Sequence, residues 1–125
     1  GVTVIAAHAC SYGLMLYEKF LPTFQEFARR YPHFYADISA LTQPHRLKML
    51  LHLRHYPELH PRLLFGTDYP LSVFHMAAWG RVGLGTLWNM IRTRNRFDRQ
   101  VAVCQGLNLN FRSFGELVSN RSTYG

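Results

Sequence analysis

Cysteine is scarce in this sequence, and acidic residues are few. The two cysteines, Cys10 and Cys104, lie far apart and form no Cys-x-x-Cys pair, so the sequence predicts neither a disulfide framework nor a thiolate zinc site. Fourteen lysines and arginines stand against seven acidic residues, which gives a net charge of +7. This balance suits an acidic ligand, a nucleic acid or a basic surface, and the scattering of the arginines favours the surface. We expect a reduced, cytoplasmic protein.

Long hydrophobic runs are also missing. The apolar run from Val2 to Ala7 is far shorter than the roughly 18 residues that a membrane-spanning helix needs, and no basic segment precedes it. We therefore expect no signal peptide and no membrane partner. A P-loop, a Gly-x-Ser-x-Gly motif and fixed-period repeats are absent as well, which argues against the common forms of nucleotide binding and serine hydrolysis. The 125 residues, 48% of them hydrophobic, suffice for one domain with a core.

The patterns that are present alternate between strand and helix. Residues 2–7 (VTVIAA), 33–38 (HFYADI) and 63–65 (LLF) are short, apolar and rich in β-branched or aromatic residues, as are the strands of a covered parallel sheet. Helical spacing of apolar residues follows the first strand up to Tyr31 and precedes the third between Arg46 and His55. Right-handed crossovers then predict parallel strands in chain order, with their C-terminal ends at one edge.

Beyond Pro70 the sequence predicts helices and loops only. One helix is expected around Leu87 to Ile91, and Asp98 is a candidate cap for a helix that ends at Gly106. The spacing of Ser113 and Glu116 matches a capping box at the start of a short last helix.

Polar residues stand at the C-terminal ends of the predicted strands. His8 follows VTVIAA, Asp37 lies in FYADI, and Asp68 follows LLFGT. Parallel α/β sheets place their active sites at this edge, and imidazole with carboxylate suits a divalent metal or general-base work on a water. The alternative is that each side chain only satisfies loop backbone groups, as an Asx-turn or a hydrogen-bonded histidine would. From the residues alone, both interpretations stay open.

Other candidates carry weaker signals. Arg92 to Arg99 is a basic concentration beside Trp88 that could contact nucleic acid or an acidic partner, although a solvated helix connection is favoured over either. His45 could reach the same edge as His8 or lie near a helix start. Structural or exposed positions are favoured for His33, His52, His55 and His60. Cys10 is expected to be a small buried thiol, and Tyr12 and Tyr69 are expected to pack against other side chains.

The segments VTVIAAHA, FYADISAL and RLLFGTDYP together resemble the last strands of the amidohydrolase superfamily, in particular the amidohydrolase-2 group of metal-dependent hydrolases and decarboxylases. FGTDYP is the most specific segment, because strand 8 in that family ends in a Gly-(Ser/Thr)-Asp-Tyr-Pro run. The similarity covers about Val2 to Pro70, and NRFDRQVAV looks like a C-terminal helix of some members. It implies a (β/α)8 barrel of which this chain, residues 1–125, forms the C-terminal part with three parallel strands.

The same resemblance implies a metal-dependent hydrolase or a related non-oxidative decarboxylase. Asp68 would be the strand-8 aspartate that binds the metal or handles the proton of the attacking water. His8 would bind the metal or polarise the substrate from strand 6, with strand 5 as the alternative. The expected cofactor is a divalent metal, zinc above all, and the expected substrate is a small carbonyl compound. The family's His-x-His pair of strand 1 is absent, so we expect this chain alone to be inactive. Three strands of an incomplete barrel would have two unpaired edges, so we also expect the chain to self-associate.

Overall fold

The computed structural model describes residues 2–11 and 19–122. Three parallel strands form an open sheet with the spatial order β1 (Val4–Ala6), β2 (Phe34–Asp37) and β3 (Leu63–Leu64). Helices flank this sheet, so the predicted α/β class, the strand order and the parallel direction are confirmed. No barrel is present in these two ranges.

The strand register brings the C-terminal ends to one edge. Val4 pairs with Phe34 and Ala6 with Ala36, and Asp37 pairs with Leu64. β1 is shorter than the apolar run that predicted it, and it continues into a tight 3₁₀ turn, Ala7–Cys10.

The first crossover is completed by α1 (Leu21–Arg30). Pro22 stands in its first turn, where a fixed φ and a missing N–H cost nothing. Phe24 and Ala28 are buried on the face towards the sheet. Arg30 is the last helical residue because the Tyr31–Pro32 pair favours extended backbone. The helical pattern predicted earlier in the chain, between Gly13 and Tyr17, lies outside the described residues.

The second crossover consists of α2 (Leu47–Leu53) and a 3₁₀ segment, Pro57–Arg62. α2 buries Met49, Leu50 and Leu53 against the sheet.

Three helices follow β3: α3 (Leu84–Arg92), α4 (Arg96–Gly106) and α5 (Phe114–Ser122). The expected cap of α4 is wrong: the Asn95 side chain accepts the Phe97 N–H at 2.8 Å, and Asp98 lies inside the first turn. Asn95 is the cap because its backbone is extended, and only an extended residue can turn its side chain back onto the first free N–H groups of the helix.

The sheet separates two apolar clusters. Phe34, Ala36 and Leu63 belong to the main core, together with the buried faces of α1, α2 and α4. Tyr35 and Leu64 alternate with them along the strands and pack against Leu117 of α5 on the other face.

The two outer edges of the sheet differ. Arg112 covers the edge of β3, because its N–H donates to Leu63 O and its carbonyl accepts from Phe65 N, both at 2.8 Å. The outer edge of β1 pairs with no strand in residues 2–11 and 19–122. Within the same residues, no helix is long and apolar enough to cross a bilayer.

Candidate functional site

His8 occupies a left-handed turn directly after β1. Its φ is 53°, and Ala9 and Cys10 follow with φ of 50° and 62°. The left-handed conformation destabilises residues other than glycine by roughly 1–2 kcal/mol each. Consecutive residues therefore adopt it only where surrounding contacts enforce it. One such contact is the His8 N–H, which donates to Asp37 Oδ1 at 3.1 Å. The turn places the imidazole at the C-terminal edge of the sheet.

Asp37 and Ser39 form a compact network beside the ring. Asp37 Oδ1 also accepts the Ser39 N–H at 3.0 Å and the Ser39 hydroxyl. His8 Nδ1 lies 2.8 Å from Ser39 Oγ and 3.0 Å from Ser39 O. The Asp37 carboxylate is therefore engaged by loop donors, as the Asx-turn alternative expected of it.

Asp68 approaches the ring from the other side. Its Oδ2 lies 3.8 Å from His8 Nε2, and its side chain is 42% exposed, against 24% for His8. Asp68 also has a left-handed backbone, with φ of 53°. Unlike Asp37, its carboxylate accepts no backbone hydrogen bond within the part of the chain that the structure describes. The structure thus brings His8 and Asp68 together and leaves the Asp68 carboxylate open to solvent.

Gln100 of α4 supports this edge from below, and the sequence did not point to it. The side chain is buried, and Nε2 donates to Gly66 O at 2.6 Å and to Ile38 O at 3.3 Å. One residue thereby joins the loops after β2 and β3. A signal was available, since a glutamine among the apolar positions of α4 marks a buried polar group that needs partners. Its Oε1 has no partner in the described residues.

Gly66 allows the two loops to approach each other. A Cβ at this position would lie 3.3 Å from the Cβ atoms of Asp37 and Ser39, tighter than side chains ordinarily pack. Glycine therefore keeps the Asp68 loop close to the Asp37 loop.

Five other histidines, which the sequence analysis considered, do not join this cluster. His60 is buried and structural: Nε2 is 3.0 Å from Leu53 O, and Nδ1 accepts the Asn110 N–H. His45 is exposed and accepts from Arg46 Nε, so it does not extend the site. His33 is exposed, and His52 and His55 line an open groove on the outer side of α2.

The remaining candidates are one thiol and two tyrosines, and they have different surroundings. Cys10 is half-buried next to the His8 turn, and this burial raises the pKa of its thiol. Tyr69 is 73% exposed, so the expectation that it packs is wrong: the turn after Asp68 directs it to solvent. Tyr12 lies outside the described residues.

The basic segment Arg92 to Arg99 is a helix connection, as favoured from the sequence. Arg99 donates twice to Thr93 O across the α3–α4 turn, and Arg92 stacks on Trp88. Arg96 donates to Pro70 O at 3.0 Å and so tethers the Asp68 loop. These contacts give Arg92, Arg96 and Arg99 structural roles.

The donor chemistry at the sheet edge fits a divalent metal, but the number of donors is small. Imidazole nitrogen and carboxylate oxygen are common zinc ligands, each about 2.1 Å from the ion, so two of them on one ion lie roughly 3–4 Å apart. The 3.8 Å between His8 Nε2 and Asp68 Oδ2 falls in this range. No group of three or more His, Cys, Asp or Glu side chains is arranged for a metal in residues 2–11 and 19–122.

No protein-family model, curated protein or solved structure matches this chain. The resemblance to the amidohydrolase superfamily is therefore an expectation from the sequence of the three strand-end segments alone.

Proposed function

We propose that this chain is the C-terminal part of a metal-dependent hydrolase of the amidohydrolase-2 type, or of a related non-oxidative decarboxylase. The observation that carries the proposal is the pair His8 Nε2 and Asp68 Oδ2, which face each other across 3.8 Å at the C-terminal edge of a parallel sheet. This distance is too long for a hydrogen bond and suits a shared cation.

The proposed architecture is a (β/α)8 barrel in which β1, β2 and β3 are strands 6, 7 and 8. Their parallel order supports it, because consecutive strands of such a barrel are neighbours and place functional residues at the C-terminal face. The outer edge of β1, which pairs with no strand in the described part of the chain and exposes Val4 at 49%, is where a preceding strand would pair. Further metal ligands would come from such strands, because His8 and Asp68 are one short of the usual three.

Each residue of the pair has a defined part in the proposed reaction. Asp68 would hold the ion through one carboxylate oxygen or accept the proton of the attacking water. His8 would hold the ion through Nε2 or polarise the carbonyl group of a small substrate. A bound zinc or other divalent ion would supply Lewis-acid activation of water or carbonyl.

Zinc titration of the chain by calorimetry tests the proposal. We expect weak binding of one ion, because two protein ligands hold a metal poorly. Asp68→Asn and His8→Ala should each raise the dissociation constant about tenfold or more, since either removes half of the donors. Asp98→Asn, an exposed aspartate of α4, is the matched control and should bind as the unmodified chain does.

Tight stoichiometric zinc that persists after removal of every tag would contradict the two-ligand site. If the Asp68→Asn and Asp98→Asn variants bind zinc equally well, Asp68 is not a ligand of the site.

A further inference from the structure

The imidazole of His8 is held by one residue at its Nδ1 side. Ser39 offers two oxygens to this nitrogen, its carbonyl at 3.0 Å and its hydroxyl at 2.8 Å. A carbonyl oxygen can only accept, so a hydrogen bond there requires the proton on Nδ1.

The hydroxyl leads to the same assignment. Its single proton is directed to Asp37 Oδ1, which also accepts the backbone N–H groups of Ser39 and His8. With that proton used, Ser39 Oγ meets Nδ1 through a lone pair and can only accept from it. The carboxylate thus orients the hydroxyl, and the hydroxyl orients the ring.

We propose that Ser39, oriented by Asp37, is a positioning residue that fixes His8 as the Nδ1–H tautomer with its Nε2 lone pair directed at Asp68. Ser39 is buried at 6% exposure, so solvent does not compete strongly for its hydroxyl. Residues behind a metal-binding histidine commonly fix its tautomer in this way. This inference rests on the proposed function for its purpose, but the tautomer itself can be measured without metal.

The experiment is nitrogen NMR of the uniformly ¹⁵N-labelled chain without metal, with the pH raised until the histidine nitrogen shifts no longer change and the rings are neutral. Long-range proton–nitrogen correlations distinguish the two neutral tautomers, and the spectrum of His8→Gln identifies the His8 signals. We expect Nδ1–H in the unmodified chain.

Variants of Ser39 distinguish the loss of its hydroxyl from a general disturbance of the fold. Ser39→Ala should lower the ratio of Nδ1–H to Nε2–H at His8 about threefold to tenfold, the effect of one lost hydrogen bond. Ser39→Thr keeps a hydroxyl and should restore the ratio, and the exposed Ser72→Ala should leave it unchanged. His8 chiefly as Nε2–H in the unmodified chain, or an unaltered ratio in Ser39→Ala, would overturn the proposal. If Ser39→Ala does not fold, the unmodified chain and Ser39→Thr still decide, since Nε2–H in both overturns it.

Zinc titration of the same samples distinguishes the two proposals. Nδ1–H at His8 without any zinc binding would overturn the metal-dependent function and leave the positioning role in place. If zinc binding depends on Asp68 but His8 is Nε2–H in the metal-free chain, the metal-dependent function is supported and the positioning role of Ser39 is overturned. If both hold, Ser39→Ala should weaken zinc binding about tenfold to a hundredfold.

Discussion

At the scale of single residues, the two aspartates of the sheet edge have different surroundings. Asp37 accepts two hydrogen bonds from Ser39 in its own loop and one from the His8 N–H, whereas Asp68 faces an imidazole and solvent. The same side chain can therefore organise a loop in one place and remain available for a ligand or a proton in the other.

This difference leads to a prediction for the complete protein. Asp68→Asn should keep the fold, because the amide is nearly the size of the carboxylate, but it removes the charge that, under the proposed function, would hold the metal or accept a proton. Loss of a general base alone lowers the turnover rate about 10²–10⁴-fold, and weaker metal binding would lower it further. The turnover rate and the melting temperature of the variant check the prediction, and we expect only the first to fall. An Asp68→Asn variant with unaltered turnover would contradict it.

Cys104 gives a prediction for alkaline pH. Complete burial raises the pKa of its thiol from the ordinary 9.0 to about 12. The folded pKa is the higher one, so the thiol's contribution to stability is full below pH 9 and is lost as the pH rises towards 12. Within this window the free energy of unfolding should fall by about 1.4 kcal/mol per pH unit on account of this group.

Urea unfolding of the unmodified chain and of Cys104→Ala, across the same pH range, isolates the effect. Tyrosine and lysine titrate there too, but they contribute equally to both chains. Parallel pH dependences in the two chains would contradict the assignment.

At the scale of elements, α4 joins the loops that carry the site. Gln100 bonds carbonyls that follow β2 and β3, and Arg96 of the same helix bonds Pro70 O. The geometry between Asp37 and Asp68 therefore depends on a helix that contributes neither residue.

Gln100→Leu should destabilise the fold by roughly 2 kcal/mol, because it removes the donor from two loop carbonyls and leaves buried polar groups unsatisfied. The melting temperature should fall by about 6–12 °C for a chain of this length. Gln105→Leu is the matched control on the same helix, since Gln105 is exposed, and its effect should stay within about 0.5 kcal/mol. Similar melting temperatures for both variants would show that Gln100 does not hold the loops.

At the scale of the whole molecule, the outer edge of β1 pairs with no strand within residues 2–11 and 19–122. β1 exposes Val4 at 49% and Ile5 at 38%, and unpaired strand edges recruit other chains. We expect the isolated chain to associate. Val4→Lys should raise the dissociation constant about tenfold or more by placing a charge on that edge, whereas Val118→Lys, at an equally exposed site of α5, should not.

Analytical ultracentrifugation over a concentration series measures this association. A chain that is already a cooperatively melting monomer before substitution would count against both the edge contact and the barrel-fragment proposal.

The proposed barrel also predicts a rearrangement near the C-terminus. Leu117 of α5 covers the sheet face that carries Tyr35 and Leu64, and Arg112 occupies the outer edge of β3. Barrel closure would place other strands beside β3 and put the face of Tyr35 inside, so these contacts should be absent in the complete protein. A structure of the complete protein that keeps Arg112 paired with Leu63 would exclude closure at β3.

The sequence by itself determined the α/β class, the strand order and the residues that end the strands. These follow from local patterns: apolar β-branched runs, helical spacing between them, and the handedness of crossovers. It also indicated His8 and Asp68 as partners, because parallel strands bring their C-terminal ends together.

Only the tertiary structure decided how those residues are held. The left-handed turn at His8, the serine behind its ring and Gln100 beneath the loops depend on contacts between segments 29 to 62 residues apart, which no local pattern encodes. The cap of α4 is Asn95 and not Asp98 for a local reason, because a cap is defined by backbone geometry that several neighbouring residue types could supply. Long-range hydrogen bonds thus converted two strand-end residues into a defined pair.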